Sequence, residues 1–506
     1  MKKVRAAGYQ FFIEQFELKV LPNWHKSLVS SAGTFKTVVV EDGLETTTFP
    51  PVRWPGDTLG DHLEFALKYD GINLGILSAL FSVVSAYEIA IWIESKPTGK
   101  YARRIWFLYE FLTGQTLPVK DVTQGNYIVL LEPDEYYTAD TGIRAKRQRV
   151  VNNLLGGREF CPIVRRTDVL SSMEEFNIQQ RCGEILGSYP PELIRRALSY
   201  LYSKETKSSF ELEHLKPSAS RTERFIASLE MATRRDFCNK EDLIGLQNRI
   251  VDERFRDSDY RNNQNYIGEM ISFRDQRIHF VCPKPEDVES LMAGLLASHL
   301  SMMENSAELP AVIQAAIVAF GFVFLHPFGN GNGRIHRFLI HNILFLKNAV
   351  SEGLMFPVSA AMLKKPDLYE YALEAFSRPL LSLLKFDLDD LGQMTVKGET
   401  GNFYRYIDMT VQAETLFEFV KMTVDHELVI ELDFLVDYDR ARKAIQEVID
   451  MPDQRLDLFI RLCLQNNGRL SAGKRKTHFA FLKNDELEAI EKIVQKELFS
   501  KRSLIE

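Results

Sequence analysis

From Leu309 to Leu325 the chain carries no charged residue, and the run ends directly in His326-Pro327. It contains Gln314 and falls short of the roughly 20 residues a membrane-spanning helix needs, so it reads as a buried helix, Ala311 to Phe324, of a non-membrane protein. Three glycines and two asparagines follow between Gly329 and Gly333. A second helix then starts near Arg334, where Ile335, Phe338, Leu339, Ile343 and Leu346 recur with helical period. Two helices of this kind, joined by a short glycine-rich loop, call for a mainly α fold.

The rest of the sequence is consistent with that. At 506 residues the chain exceeds one compact core, and roughly two to four structural units are expected. The composition, 45% hydrophobic and 26% charged, is that of an ordinary globular protein. Five scattered cysteines without a C-x-x-C pair argue against a disulfide framework or a zinc site and fit a reducing compartment. The N-terminus has no apolar signal core, so a cytoplasmic location is the expectation. The net charge of −7 gives no general attraction to nucleic acid, which makes it an improbable partner.

Four segments are expected along the chain. Residues 1–150 form an N-terminal region of irregular and helical character, with β-prone runs such as Thr37–Val40 and many helical residues from Asp61 to Leu112. Across the end of that region, residues 113–168 look irregular. Residues 190–218 form a helical region, 219–390 a core that holds the apolar helix and the glycine-rich loop, and 391–506 a helical C-terminal module. Within the core, Tyr266-Ile267-Gly268 and Ile278-His279-Phe280-Val281 are β-prone and flank a polar turn containing Asp275, which predicts a hairpin.

The chemistry concentrates in His326-Pro-Phe-Gly-Asn-Gly-Asn-Gly-Arg-Ile-His-Arg337. Gly331 and Gly333 let the backbone approach a ligand closely. The amides that open the following helix, with the helix dipole behind them, make an anion site. Arg334 and Arg337 lie three residues apart on one face, so both guanidinium groups can serve it. Cations at a helix N-terminus oppose the dipole, and a polyphosphate or a buried carboxylate would resolve that conflict. His326 stands just before the loop, placed to take a proton from a hydroxyl nucleophile.

This segment resembles the Fic family motif, H-x-F-x-[D/E]-G-N-G-R-x-x-R, at every fixed position but one. The resemblance implies a Fic-type helical core with a β-hairpin flap, and a protein nucleotidyltransferase that moves AMP from ATP to a Tyr, Ser or Thr hydroxyl with Mg²⁺ or Mn²⁺. By it His326 is the general base and Phe328 packs the loop. Gly331, Asn332, Gly333 and Arg334 hold the α- and β-phosphates, and Arg337 reaches the γ-phosphate. The departure is Asn330, where the family carries the acidic metal ligand; a neutral amide is a poorer ligand for a hard dication. The hairpin corresponds to the flap that binds an unknown target protein, through Ile267, Gly268, His279 and Phe280, although Cys282 stands where proline is common. Ser209 and Glu213 match an autoinhibitory motif, [S/T]-x-x-x-E-[G/N], with His214 in place of its small last residue. The implied pair is Glu213 with Arg337. The phrases TGKYARRIWFLYEFLTG and DMPDQRLDLFIRLCLQNNGRLS resemble parts of a long subfamily.

Three functions stay open on the sequence: an autoinhibited AMP transferase, a de-AMPylase in which Glu213 orients a water, and a nucleotide-binding scaffold whose catalysis faded with Asn330. A kinase, or transfer of another nucleotide or of phosphocholine, is not excluded by the motif. Neither is a homodimer.

Overall fold

The computed structural model describes residues 4–41, 44–271, 276–350 and 354–499. Its centre is the helix Ala311–Leu325, whose side chains from Val312 to Leu325 are all buried. An apolar surface on every side needs neighbours on every side. Three helices supply them: Pro285–Asn305, Asn332–Leu346 and Thr410–Met422. The one polar side chain in the run, Gln314, is accommodated by His299, whose Nδ1 lies 3.3 Å from Nε2 of Gln314 and whose Nε2 meets Asp236 at 2.9 Å. No single helix among the described residues is long and apolar enough to cross a membrane, and only a sharply bent pair, Leu74–Val83 with Ala86–Ser95, passes by length and composition.

Helices dominate the chain, and the small sheets are peripheral. One hydrophobic core runs from Tyr137 to Leu435, a second joins Tyr9 through Ile163 to Tyr406, and a third spans Ala441 to Leu498. The boundary expected at 390/391 falls in the turn between two paired strands, Lys385–Leu388 and Met394–Lys397. The helix that follows belongs to the central core, so the separate C-terminal cluster starts only after Leu435. At the other end, the N-terminal unit is stitched to the core by main-chain bonds. Cys161 N donates to Arg405 O at 2.8 Å, and Met409 N to Ile163 O at 2.8 Å.

The N-terminal region contains a four-stranded sheet in the order Val4–Ala6, His25–Ser30, Leu44–Phe49, Thr37–Glu41. The β-prone run at Thr37 is its edge strand. Residues 113–168, which read as irregular, include a small sheet of Ile128–Val129, Val150–Asn152 and Ile143–Ala145. Strands of two or three residues are too short to show alternation, and glycines surround them.

The helix after Pro190-Pro191 runs from Pro191 to Glu211 and starts with proline at its first position, where no amide is needed. Its buried side includes Leu201, Glu205, Ser209 and Phe210. The hairpin forms from Tyr266–Met270 and Gln276–Val281, antiparallel, with a bulge between Ile267 and Gly268. The turn expected around Asp275 lies outside the described residues.

Candidate active site

The central helix ends at His326 because Pro327 cannot continue it and His326 itself turns left-handed, with φ 49° and ψ 57°. Its amide donates to Phe322 O at 2.9 Å. Its Nδ1 lies 3.1 Å from Val323 O. A carbonyl can only accept, so Nδ1 carries the proton and Nε2 is left as the basic nitrogen. Burial pushes the imidazole down to about 4, and the nearby Arg261 cation acts in the same direction. At neutral pH His326 is therefore an uncharged base.

The loop is held by side-chain to main-chain bonds. Phe328 is buried under Tyr260, and Asn332 clasps it on both sides: Phe328 N donates to Asn332 Oδ1 at 3.1 Å, and Asn332 Nδ2 to Phe328 O at 2.8 Å. The Gly329 amide donates to Asp257 Oδ2 at 3.0 Å, and Gln247 Nε2 reaches Asn330 O at 3.3 Å. Gly331 has φ 92°, and a side chain there would meet Val251 Cγ1 at 2.9 Å. The second helix opens immediately after it, at Asn332 rather than Arg334.

Both arginines are buried on the first turns of this helix, and one carboxylate joins them. Arg334 Nε donates to Glu213 Oε2 at 2.8 Å, and Arg337 Nη2 to Glu213 Oε1 at 2.8 Å. Arg337 also holds Ser209, through Nε to the hydroxyl at 2.8 Å and Nη2 to the carbonyl at 2.6 Å. Arg334 is further fixed by Ile250 O at 2.9 Å and Asn330 Oδ1 at 2.8 Å, and it stacks on Phe210. The pairing of Glu213 with Arg337 is present, and Arg334 shares it. The conflict between two cations and the helix dipole is thus settled by a carboxylate. A side chain at Gly333 would come within 2.7 Å of Glu213 Oε1, so glycine at this position is what admits the carboxylate.

Glu213 is not on the helix. It lies in the turn just beyond Glu211, where His214 takes φ 54° and Leu215 N returns to Phe210 O at 3.0 Å. That left-handed position explains why a small residue suits the end of such a motif: glycine and asparagine enter it at little cost.

The flap meets the site at its base. Phe280 is buried against Phe324, Phe376 and Tyr404, whereas Ile267 and Gly268 are exposed and His279 is half-buried, 3.3 Å from Glu269. Phe280 therefore anchors the hairpin, and the other three line its surface. Four residues that the sequence reading passed over complete the frame: Gln247, Asp257, Arg261 and Asn342. Arg261 Nε donates to His326 O at 2.8 Å. Asn342 accepts from Phe237 N at 3.1 Å and donates to Ala232 O and Arg235 O at 2.8 and 2.7 Å. Each acts on main-chain groups distant in sequence, and no local pattern reveals that.

Residues 237–344 match the Fic/DOC family. That stretch of the chain is similar to a Fic domain. The match spans the buried helix, the motif loop and the two arginines, whereas Ser209 and Glu213 join the site from outside it. Among curated proteins, the chain is 24% identical over 233 residues to the protein adenylyltransferase Fic of Drosophila mojavensis, covering 42% of this chain and 44% of that one. It is 29% identical over 106 residues to the same-named protein of Drosophila virilis, covering 21% and 19%. It is also 36% identical over 86 residues to a Fido domain-containing protein of Dictyostelium discoideum, covering 17% and 54%. The matched part thus spans from about a fifth to about half the length of these relatives. Among solved structures it is similar to a Fic family protein from Desulfovibrio desulfuricans, at 16% identity and a TM-score of 0.35, covering 64% of this chain and 87% of that one. A Fic domain-containing signaling protein from Bacteroides thetaiotaomicron gives 16% identity and the same TM-score of 0.35, covering 52% and 96%.

Proposed function

We propose that this protein transfers AMP from ATP to a hydroxyl group of a target protein, and that Glu213 holds it in an autoinhibited state. The observation that carries the reading is the Glu213 carboxylate bound by both Arg334 and Arg337 beside the loop amides. A dianionic phosphate group is the ligand that two such buried cations and a helix N-terminus suit best. The carboxylate occupies the place that the outer phosphates of a nucleotide would take, and it must move for them to bind.

With the carboxylate displaced, Gly331, Asn332, Gly333 and Arg334 line the α- and β-phosphates and Arg337 the γ-phosphate. The target hydroxyl oxygen attacks the α-phosphorus. The new O–P bond forms as the bond to the β-phosphate oxygen breaks, pyrophosphate leaves, and the hydroxyl proton passes to Nε2 of His326. Positioning and charge stabilisation supply the rate. The target backbone lies along the flap at Ile267, Gly268 and His279 by strand addition.

Asn330 does not suit a divalent cation. Its amide oxygen is neutral and already accepts from the Arg334 cation at 2.8 Å, so a metal would compete with that guanidinium for one weak ligand.

ATP labelled on the α-phosphate tests the reading against that labelled on the γ-phosphate, each offered to native protein, Glu213→Gly and His326→Ala. Transfer of the α-label alone, raised in Glu213→Gly and abolished in His326→Ala, is the expected result. Transfer of the γ-label would instead make the protein a kinase. A second reading is hydrolytic removal of AMP from a modified protein. Its support is the 24% exposure of the Glu213 side chain, which leaves the carboxylate access to water. Under it Glu213→Gly loses hydrolase activity and gains no transferase activity.

A further inference from the structure

Arg261 is buried, and the partners of its side chain are main-chain carbonyls from three segments. Nε donates to His326 O at 2.8 Å, Nη1 to Asn263 O at 2.8 Å and Nη2 to Pro283 O at 2.6 Å. Its own amide donates to Pro327 O at 2.8 Å. Asn263 and Pro283 stand just outside the two strands of the flap, one on each leg. His326 caps the C-terminus of the central helix. A single planar group therefore ties both legs of the flap to the backbone of the histidine that opens the motif loop.

The choice of arginine follows from that geometry. The three carbonyls lie around a fork, which a guanidinium spans and an ammonium does not. The carbonyl of His326 is one of the unsatisfied groups at a helix C-terminus, and a cation there also complements the helix dipole. Charge, shape and hydrogen bonding thus converge on one residue. Nearby bonds reinforce the same junction: Gln264 Nε2 donates to Cys282 O at 2.8 Å, and Cys282 N to Asn265 O at 3.1 Å.

We infer that Arg261 is a positioning residue, which fixes the flap and the His326 backbone at one angle so that a hydroxyl presented by the flap meets the imidazole in line. The use made of that angle rests on the transferase reading; the coupling itself does not. Arg261 touches neither nucleotide nor hydroxyl in this scheme and acts through His326 and the flap. The conservative variant Arg261→Lys keeps the charge and loses the fork, and it separates the two.

Hydrogen–deuterium exchange on the full chain decides the coupling without any activity. In Arg261→Lys, exchange is expected to rise together in residues 264–271, 276–283 and 322–328, with Asn332–Leu346 unchanged. Native-like exchange in those segments, or an even loosening of the whole chain, would overturn it. If Arg261→Lys fails to fold, Arg261→Gln is measured in its place against the same two outcomes. The catalytic consequence is read in the Glu213→Gly background with α-labelled ATP. Adding Arg261→Lys is expected to lower label incorporation by about tenfold to a hundredfold, the scale of a small misplacement, while the ATP dissociation constant holds. Loss of ATP binding in parallel would show general collapse of the site and count against the inference. If Glu213→Gly incorporates no label at all, the transferase reading fails, and the exchange result still decides the coupling.

Discussion

Arg334 and Arg337 each have several partners, but Glu213 is the anion between them, and its removal leaves two buried cations facing each other across a helix start. Breaking a fully buried pair costs about 3–5 kcal/mol, and the partial exposure of Glu213 puts its loss on the order of 2–3 kcal/mol. Glu213→Gly is therefore expected to melt below the native protein and to recover most of the difference on adding ATP. A thermal-shift assay with and without ATP checks this, and an equal ATP shift in both proteins would contradict it. His326 gives a second expectation. Its pKa is pushed down to about 4 by burial, so the base stays uncharged through mildly acidic pH. The rate–pH profile of Glu213→Gly should keep its plateau below the usual histidine range and fall only as pH approaches about 4. An acid limb centred near 6.5, the ordinary value for histidine, would show that the site rehydrates His326 when it works. The motif residues were legible in the sequence because their chemistry is local: glycines, arginines three apart and a histidine before proline. Arg261 and Asn342 were not, since their partners are main-chain atoms far along the chain.

At the scale of elements, the motif helix is braced through its own Asn342 against residues 232–237, and the turn at Glu213 by the helix that precedes it. Asn342→Ala leaves the Phe237 amide and two carbonyls without their partner in a buried place. Each such group costs about 1–3 kcal/mol, and relaxation reduces the sum, so a loss of about 2–4 kcal/mol in a urea melt is expected. The helix that leads to Glu213 is clamped from its other side. Lys204 on Pro191–Glu211 lies 2.8 Å from Glu427 and 2.7 Å from Glu431, and Arg196 lies 2.8 Å from Asp439. The last two acids belong to the helix Leu428–Val448. Lys204→Met should loosen that clamp and raise AMP transfer over the native level, but less than Glu213→Gly, in the same labelling assay. The sequence displayed Ser209 and Glu213 as a motif. It did not display the clamp, because in a sequence acids and bases on helix faces look alike whether paired or solvated. Nor did it show that Glu213 sits beyond the helix, which depends on the backbone turn at His214.

Across the whole molecule, three histidines are held neutral by burial: His326 and His62 at about 4 and His336 at about 3. All three lie below the ordinary value near 6.5, so the unfolded chain binds protons that the native chain refuses. Stability from these groups is full above about pH 6.5 and is lost as the pH falls toward 4 and 3. Melting temperature should drop over that window, with a shallower slope in His336→Gln, and a flat response between pH 7 and 5 would contradict the assignment. The mainly helical architecture was legible at this scale from one apolar run and its periodic neighbour. The division of the chain was less so: the core takes in residues up to Leu435 because helix Thr410–Met422 packs on the central helix, and packing between distant segments leaves no mark in composition.

In the proposed mechanism Glu213 stands where nucleotide phosphate belongs, and His326 then delivers AMP to a hydroxyl. Intact-protein mass spectrometry of Glu213→Gly and of Glu213→Gly/His326→Ala, each incubated with ATP and either Mg²⁺ or Mn²⁺ in the presence of whole-cell lysate, tests it most directly. The expected result is one added AMP unit on Glu213→Gly itself or on a lysate protein, and none with the double variant. ATP bound tightly by Glu213→Gly with no AMP unit on any protein, or the same unit added without His326, would contradict it.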